Sequence, residues 1–108
     1  MYFNFEISKN KILPQIYIIK YSKFTDLRGY NFSFYDLFLE KKLYSITKKK
    51  FIHDKFSFRK KNVITGIHGD NKTWKLITCL KGKIIQVIVN CNVNSKNFGK
   101  HIKLELDE

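Results

Sequence analysis

Alanine is absent from this 108-residue chain. Lysine, isoleucine, asparagine, phenylalanine and tyrosine are abundant instead, the profile that A/T-rich codons give to any soluble protein. Arginine is scarce: only Arg28 and Arg59 occur, although lysine and arginine together number 21. The net charge of +12 therefore argues less for nucleic acid than its size suggests. Arginine is the residue suited to bidentate phosphate recognition. The lysines read as solvated faces, and no nucleic-acid partner is expected. Their field would still attract a small anionic ligand. No run of about 18 apolar residues is present, so neither a membrane span nor a membrane partner is expected. The opening Met1-Tyr2-Phe3-Asn4-Phe5-Glu6 lacks the basic start and small-residue cleavage site of a secretory leader. Cysteine is limited to Cys79 and Cys91, both in apolar contexts. They are expected as buried free thiols rather than a disulfide. These absences together predict a cytoplasmic protein.

What is present is enough to fold. Hydrophobic residues make up 44% of the chain and aromatics 16%, which excludes disorder as the default. The length suits one domain over residues 1–108 with one core. Ile12–Tyr21 is rich in β-branched and aromatic residues and reads as a strand, with Pro14 near its start. Lys83–Cys91 is the clearest strand in the sequence. Lys50–Ser57, Val63–His68 and Thr73–Leu80 read as further short strands. Lys81-Gly82, between two apolar runs, predicts a hairpin turn. Ser33–Leu43 predicts one short helix, with Ser33 as N-cap and Phe34, Leu37 and Phe38 on its apolar face. Lys48-Lys49-Lys50 then reads as a solvated loop. Many short strands separated by turns indicate an antiparallel β sandwich or barrel.

Three segments carry candidate chemistry. His68 lies in Val63-Ile64-Thr65-Gly66-Ile67-His68-Gly69-Asp70. A histidine ending an apolar strand could face a barrel interior and act as a general base, since its ordinary pKa is near neutrality. The commoner role for a single histidine is structural or solvent-exposed. Strand alternation over Thr73–Cys79 groups Lys75 with Ile77 and Cys79 on one face. Facing inward, Lys75 could stabilise a developing oxyanion; facing outward, it is a sheet-edge lysine. Asp26-Leu27-Arg28-Gly29-Tyr30 sets an arginine beside a glycine turn, able to hold a phosphate next to an aromatic ring. An ordinary turn gives the same pattern. His53 and His101 add no metal-ligand spacing, so no metal site is expected.

These segments, in this order, resemble the dTDP-4-dehydrorhamnose 3,5-epimerase family of cupins. The resemblance runs from about Glu6 to Glu108. It rests on Ile12-Leu13, Lys23-Phe24-Thr25-Asp26-Leu27-Arg28-Gly29, His53-Asp54-Lys55-Phe56, Gly66-Ile67-His68-Gly69-Asp70, Lys72-Thr73-Trp74-Lys75-Leu76-Ile77-Thr78-Cys79 and Gln86-Val87-Ile88-Val89. The branch acting on GDP-linked 6-deoxy-4-keto-heptoses in bacterial capsule pathways is especially similar. The resemblance implies an all-β fold, a cupin-like antiparallel barrel or jelly roll with one short helix. It implies epimerisation beside the carbonyl of a nucleotide-linked 4-keto-6-deoxy sugar, without metal or organic cofactor, in a homodimer. By the same resemblance His68 is the base and Lys75 stabilises the enolate oxygen. Arg28 contacts the nucleotide, with Tyr30 beside it, and His53 stands where many members carry a glutamine near substrate.

The chain also departs from the family. Thr65 stands where the family usually has arginine, and Asn90 and Asn92 where it often has aspartate and arginine. Family members continue well past the position of Glu108, into the part carrying a general-acid tyrosine and a histidine-orienting aspartate. The expected barrel is therefore incomplete, the N-terminal part of a cupin-type epimerase. Two further functions stay open at this point: an inactive homologue serving as a binding or interaction subunit, and a keto-isomerase on the same scaffold.

Overall fold

Phe5 and Ile7 alternate with Glu6 and Ser8, and this period-two pattern forms β1 (Phe5–Lys9), whose apolar residues are half-buried. β1 pairs antiparallel with β2 (Tyr17–Tyr21), with Ile7 opposite Ile19. The computed structural model that shows this describes residues 4–108. The predicted strand over Ile12–Tyr21 is thus only half realised. Its first part is a turn built by Asn10. The Asn10 Oδ1 accepts from the backbone amides of Ile12 and Leu13 at 2.9 and 2.8 Å. The Ile16 amide then donates to Leu13 at 2.9 Å. A local side-chain acceptor and the missing amide of Pro14 outcompete the ladder there.

β3 (Phe24–Asp26) and β4 (Gly29–Asn31) form a short hairpin closed by Leu27-Arg28. Gly29 sits at φ +131°, a backbone conformation that side chains with a Cβ rarely adopt. β5 (Lys83–Val89) pairs antiparallel with β6 (His101–Asp107). Their connection is a tight asparagine-rich loop. Asn90 Oδ1 accepts from the Asn92 amide at 2.9 Å, and Asn92 Oδ1 from the Asn94 amide at 3.0 Å. Both asparagines therefore act as turn residues.

The helix α1 covers Leu37–Thr47, three to four residues later than predicted. Its N-cap is Asp36 rather than Ser33. Asp36 is extended, and its carboxylate accepts from the Leu39 amide at 2.8 Å. Lys48 closes the other end in a left-handed conformation, donating its amide to Tyr44 at 2.8 Å. Replacing Asp36 with alanine is expected to cost about 1 kcal/mol, within the roughly 0.5–2 kcal/mol measured for such caps. A urea titration followed by helical circular dichroism checks this; an unchanged midpoint would remove the cap's role.

The predicted strands over Lys50–Ser57, Val63–His68 and Thr73–Leu80 do not form; these residues are irregular. No neighbouring strand pairs with them among the described residues, and β-propensity alone does not hold an isolated strand. Gly82 takes the expected positive φ of 78°. With no strand before it, it precedes β5 rather than joining a hairpin. The described residues thus hold mostly strands with one short helix, arranged as three separate two-stranded antiparallel sheets without a closed barrel.

The chain divides into two compact units. One runs up to Phe34 and resumes over Ile77–Glu108; the other is Tyr35–Leu76. The first contains all three hairpins and the buried Leu13, Cys79 and Ile102. The second contains α1 and the buried Leu39 and Leu43. Both cysteines are free, as expected, but only Cys79 is buried. Cys91 is exposed because β5 ends before it, leaving it in the asparagine-rich loop. No helix among the described residues is long and apolar enough to cross a membrane.

Candidate functional site

The β3–β4 hairpin presents Arg28 at its tip. Asp26, the last residue of β3, holds that guanidinium from the side. Arg28 Nη2 donates to Asp26 Oδ2 at 2.6 Å, and Arg28 Nε donates to the same carboxylate at 3.2 and 3.3 Å. The Arg28 amide also donates to Asp26 Oδ1 at 2.8 Å. These charge-assisted bonds use one edge of the guanidinium and leave Nη1 outside the pair. The Arg28 side chain remains 89% exposed, open to an anionic ligand. A shallow recess of about 260 Å³ lies here, lined by Phe24, Asp26, Arg28, Gly29, Tyr30 and Asn31. Arg28 and Tyr30, singled out together in the sequence, therefore share one recess.

Tyr30 stands opposite Thr25 in the hairpin register. Its ring lies 6.1 Å from that of Phe32, and Phe32 stacks on Tyr21 at 5.0 Å. The Lys23 ammonium sits 4.6 Å from the centre of the Tyr30 ring and 5.6 Å from that of Phe32, a cation–π arrangement. Partial burial, with the Cys79, Asp107 and Tyr30 charges adding to it, pushes the Tyr21 hydroxyl pKa up. Tyr21 thus serves as a neutral wall of this aromatic row.

The Asp26–Arg28 pair has a titration signature. Hydrogen bonds from Arg28 hold the Asp26 carboxyl below its ordinary value of 3.8. A depressed carboxylate pKa means the unfolded chain binds the proton more readily. The pair's contribution is therefore complete above pH 3.8 and lost as pH falls through the lower folded value. An NMR titration of the carboxyl carbon is expected to place Asp26 below 3.8, returning toward it in Arg28→Gln. A midpoint at or above 3.8 in the unmodified chain would contradict the pairing.

His53, His68 and Lys75 belong to the other unit, and all three are exposed. His68 stands in an irregular stretch, so the expected position at the end of a strand is not realised. Gly66, at φ +105°, turns the backbone two residues before it; a Cβ there would lie 3.5 Å from His68 Nδ1. Lys75, likewise on no strand, does not share a strand face with Ile77 and Cys79. Asp70 is committed to the backbone. Its Oδ1 accepts from the amides of Lys72 and Thr73, each at 2.7 Å. The Lys72 amide, then Thr73, and last the Lys75 charge draw its pKa down. The carboxylate therefore organises the turn before Lys75 rather than orienting His68.

Two contributors were missed in the sequence reading. Asp26 is the partner of Arg28, signalled by an acid two residues before a base at a glycine turn. Lys23 covers the Tyr30 and Phe32 rings, signalled only by cross-strand spacing. Among the described residues no group of histidine, cysteine, aspartate and glutamate gathers to hold a metal.

Residues 10–108 match the family model described as dTDP-4-dehydrorhamnose 3,5-epimerase. The chain is also 32% identical over 97 residues to the dTDP-4-dehydrorhamnose 3,5-epimerase of Salmonella typhimurium. That match covers 87% of this chain and 52% of the relative, so the chain spans about half the relative's length.

Proposed function

Because the chain belongs to the dTDP-4-dehydrorhamnose 3,5-epimerase family, we propose that it acts on a nucleotide-linked 4-keto-6-deoxy sugar, hexose or heptose, inverting carbons beside the carbonyl. The observation that carries this is the family match over residues 10–108, which contains Arg28, His53, His68 and Lys75 in order. The fold assigned with it is the cupin-like jelly roll, to which antiparallel hairpins such as β5–β6 would belong.

The chemistry follows from the substrate. A carbonyl acidifies the hydrogens on its flanking carbons. His68 takes one of these protons as general base, and the electron pair moves into an enolate. The Lys75 ammonium stabilises the negative oxygen so formed. A solvent water then gives a proton to the opposite face of the carbon, inverting it, and the proton held by His68 passes to the hydroxide left behind, which restores the base. The net reaction is an isomerisation, with no electrons gained or lost. Arg28, steadied by Asp26, pairs with a phosphate of the nucleotide, and Tyr30 offers a ring beside it. His53 contacts the sugar. No step requires a metal or organic cofactor.

Incubating the chain with such a sugar nucleotide and following the ring-proton couplings by NMR tests the reading. Appearance of an inverted product is expected. A substrate whose couplings stay unchanged argues for the second reading, an inactive binding or interaction subunit. The exposure of His68 and Lys75, on segments that pair with no strand among the described residues, is the observation that favours that alternative. A product with the carbonyl moved along the ring would instead identify a keto-isomerase.

A further inference from the structure

Arg28 brings less charge to its recess than an arginine usually does. Asp26 Oδ2 lies 2.6 Å from Arg28 Nη2, so the two opposite charges largely cancel at a distance. What Arg28 keeps for a ligand is its Nη1 edge, which suits one phosphate. A sugar joined to a nucleoside through a diphosphate carries negative charge on both phosphates. The second charge calls for a second cation beside the same recess.

Lys23 stands there. Its ammonium is 4.6 Å from the centre of the Tyr30 ring, and Tyr30 lines the recess together with Arg28. The Phe32 ring, 6.1 Å from that of Tyr30, lies 5.6 Å from the same ammonium. Two rings beside one ammonium favour a single placement of a long, flexible stem. Lys9 makes a looser contact of this kind, 5.9 Å from the Tyr17 ring, and Tyr17 does not line the recess. The charge of Lys23 is also unspent. Among the described residues it pairs with no carboxylate, whereas Lys83 pairs with Glu105 at 3.8 Å. An aromatic face takes up none of the ammonium's hydrogen-bonding capacity toward oxygen, so its donors remain for a phosphate.

We propose that Lys23 is a second phosphate-binding residue of this recess, and that Lys23 and Arg28 together fit it to a nucleoside diphosphate rather than a monophosphate. Arg28 takes one phosphate through Nη1, and Lys23 takes the other from the Tyr30 side. The inference rests on the nucleotide reading of the recess and adds to it the residue that counts the phosphates. It does not involve His68 or Lys75.

Calorimetric titration of the whole chain at low salt tests this. The probes are the thymidine and guanosine diphosphates, each beside its monophosphate. The parent chain is expected to bind at least one diphosphate more tightly than the matching monophosphate. Lys23→Met keeps most of the stem and removes the charge. It should weaken diphosphate binding about fivefold, the upper end for an exposed ion pair, and leave monophosphate binding unchanged. Lys23→Arg should restore the preference. An unchanged diphosphate affinity in Lys23→Met would overturn the role of Lys23 and leave the nucleotide reading standing. Equal losses for both phosphate lengths would overturn it too, and would reduce Lys23 to packing on Tyr30. A parent chain that binds neither diphosphate would remove the nucleotide reading of the recess, and the inference with it.

Discussion

Replacing His68 with asparagine is expected to lower turnover of a nucleotide-linked 4-keto-6-deoxy sugar by roughly 100- to 10,000-fold, the range of a lost general base. Asparagine keeps a polar side chain of modest size but cannot take up a proton near neutral pH. The loss should fall on kcat, with KM little changed, because the base acts in the transition state. His68 is exposed and forms no part of the buried core, so the urea midpoint should stay where it is. A variant that keeps full turnover would remove His68 from the mechanism. One that loses turnover together with its folding signal would give His68 a structural role instead.

Replacing Leu39 with alanine is expected to destabilise the chain by about 2–5 kcal/mol, the range for emptying a buried leucine site. Leu39 is 0% exposed, and it is the one large side chain buried so completely among the described residues. Its unit buries only Leu39 and Leu43, so few other contacts can compensate. A loss of this size is a large share of the roughly 5–15 kcal/mol that holds ordinary domains. Urea unfolding should show a lower midpoint at unchanged slope. Leu37, 64% exposed on the same helix, is the control. Leu37→Ala should stay within about 0.5 kcal/mol of the parent chain. Equal effects at the two positions would contradict the assigned helix face.

The sequence was most readable where local pattern and pairing agree. Lys83–Cys91 is apolar, β-branched and followed by turn residues, and β5 forms there within two residues of the expected end. β6 was not predicted, although Ile102, Leu104 and Leu106 alternate with polar residues. Its charged half lowers its mean hydropathy, and only the partner β5 makes its alternation decisive. Lys50–Ser57 and Val63–His68 fail in the opposite way. Their composition favours strand, but a strand needs a neighbour, and a single sequence does not say whether one is present. The helix shifted because Asp36 captures the Leu39 amide, a competition between two plausible caps.

The site divides along the same line. Arg28 beside a glycine turn was legible, and the two-residue loop of β3–β4 realises it. The bonds from Arg28 to Asp26 depend on side-chain geometry that spacing merely permits. His68 and Lys75 were reached through several motifs in a fixed order rather than through residue type. Their strand positions were inferred from alternation, which carries weight only after a strand has formed. Thr65, Asn90 and Asn92 stood out as departures from the family pattern. For the two asparagines the loop geometry supplies a local role in turning the chain. Nothing in the structure explains Thr65.

We propose that this chain, through His68, exchanges protons on carbons beside a sugar carbonyl. The most direct measurement is deuterium entry from heavy water into a nucleotide-linked 4-keto-6-deoxy sugar, followed by NMR. The account predicts deuterium at the carbons flanking the carbonyl with the parent chain, and its near-complete absence with His68→Asn. No deuterium entry with the parent chain, or equal entry with both proteins, would contradict it.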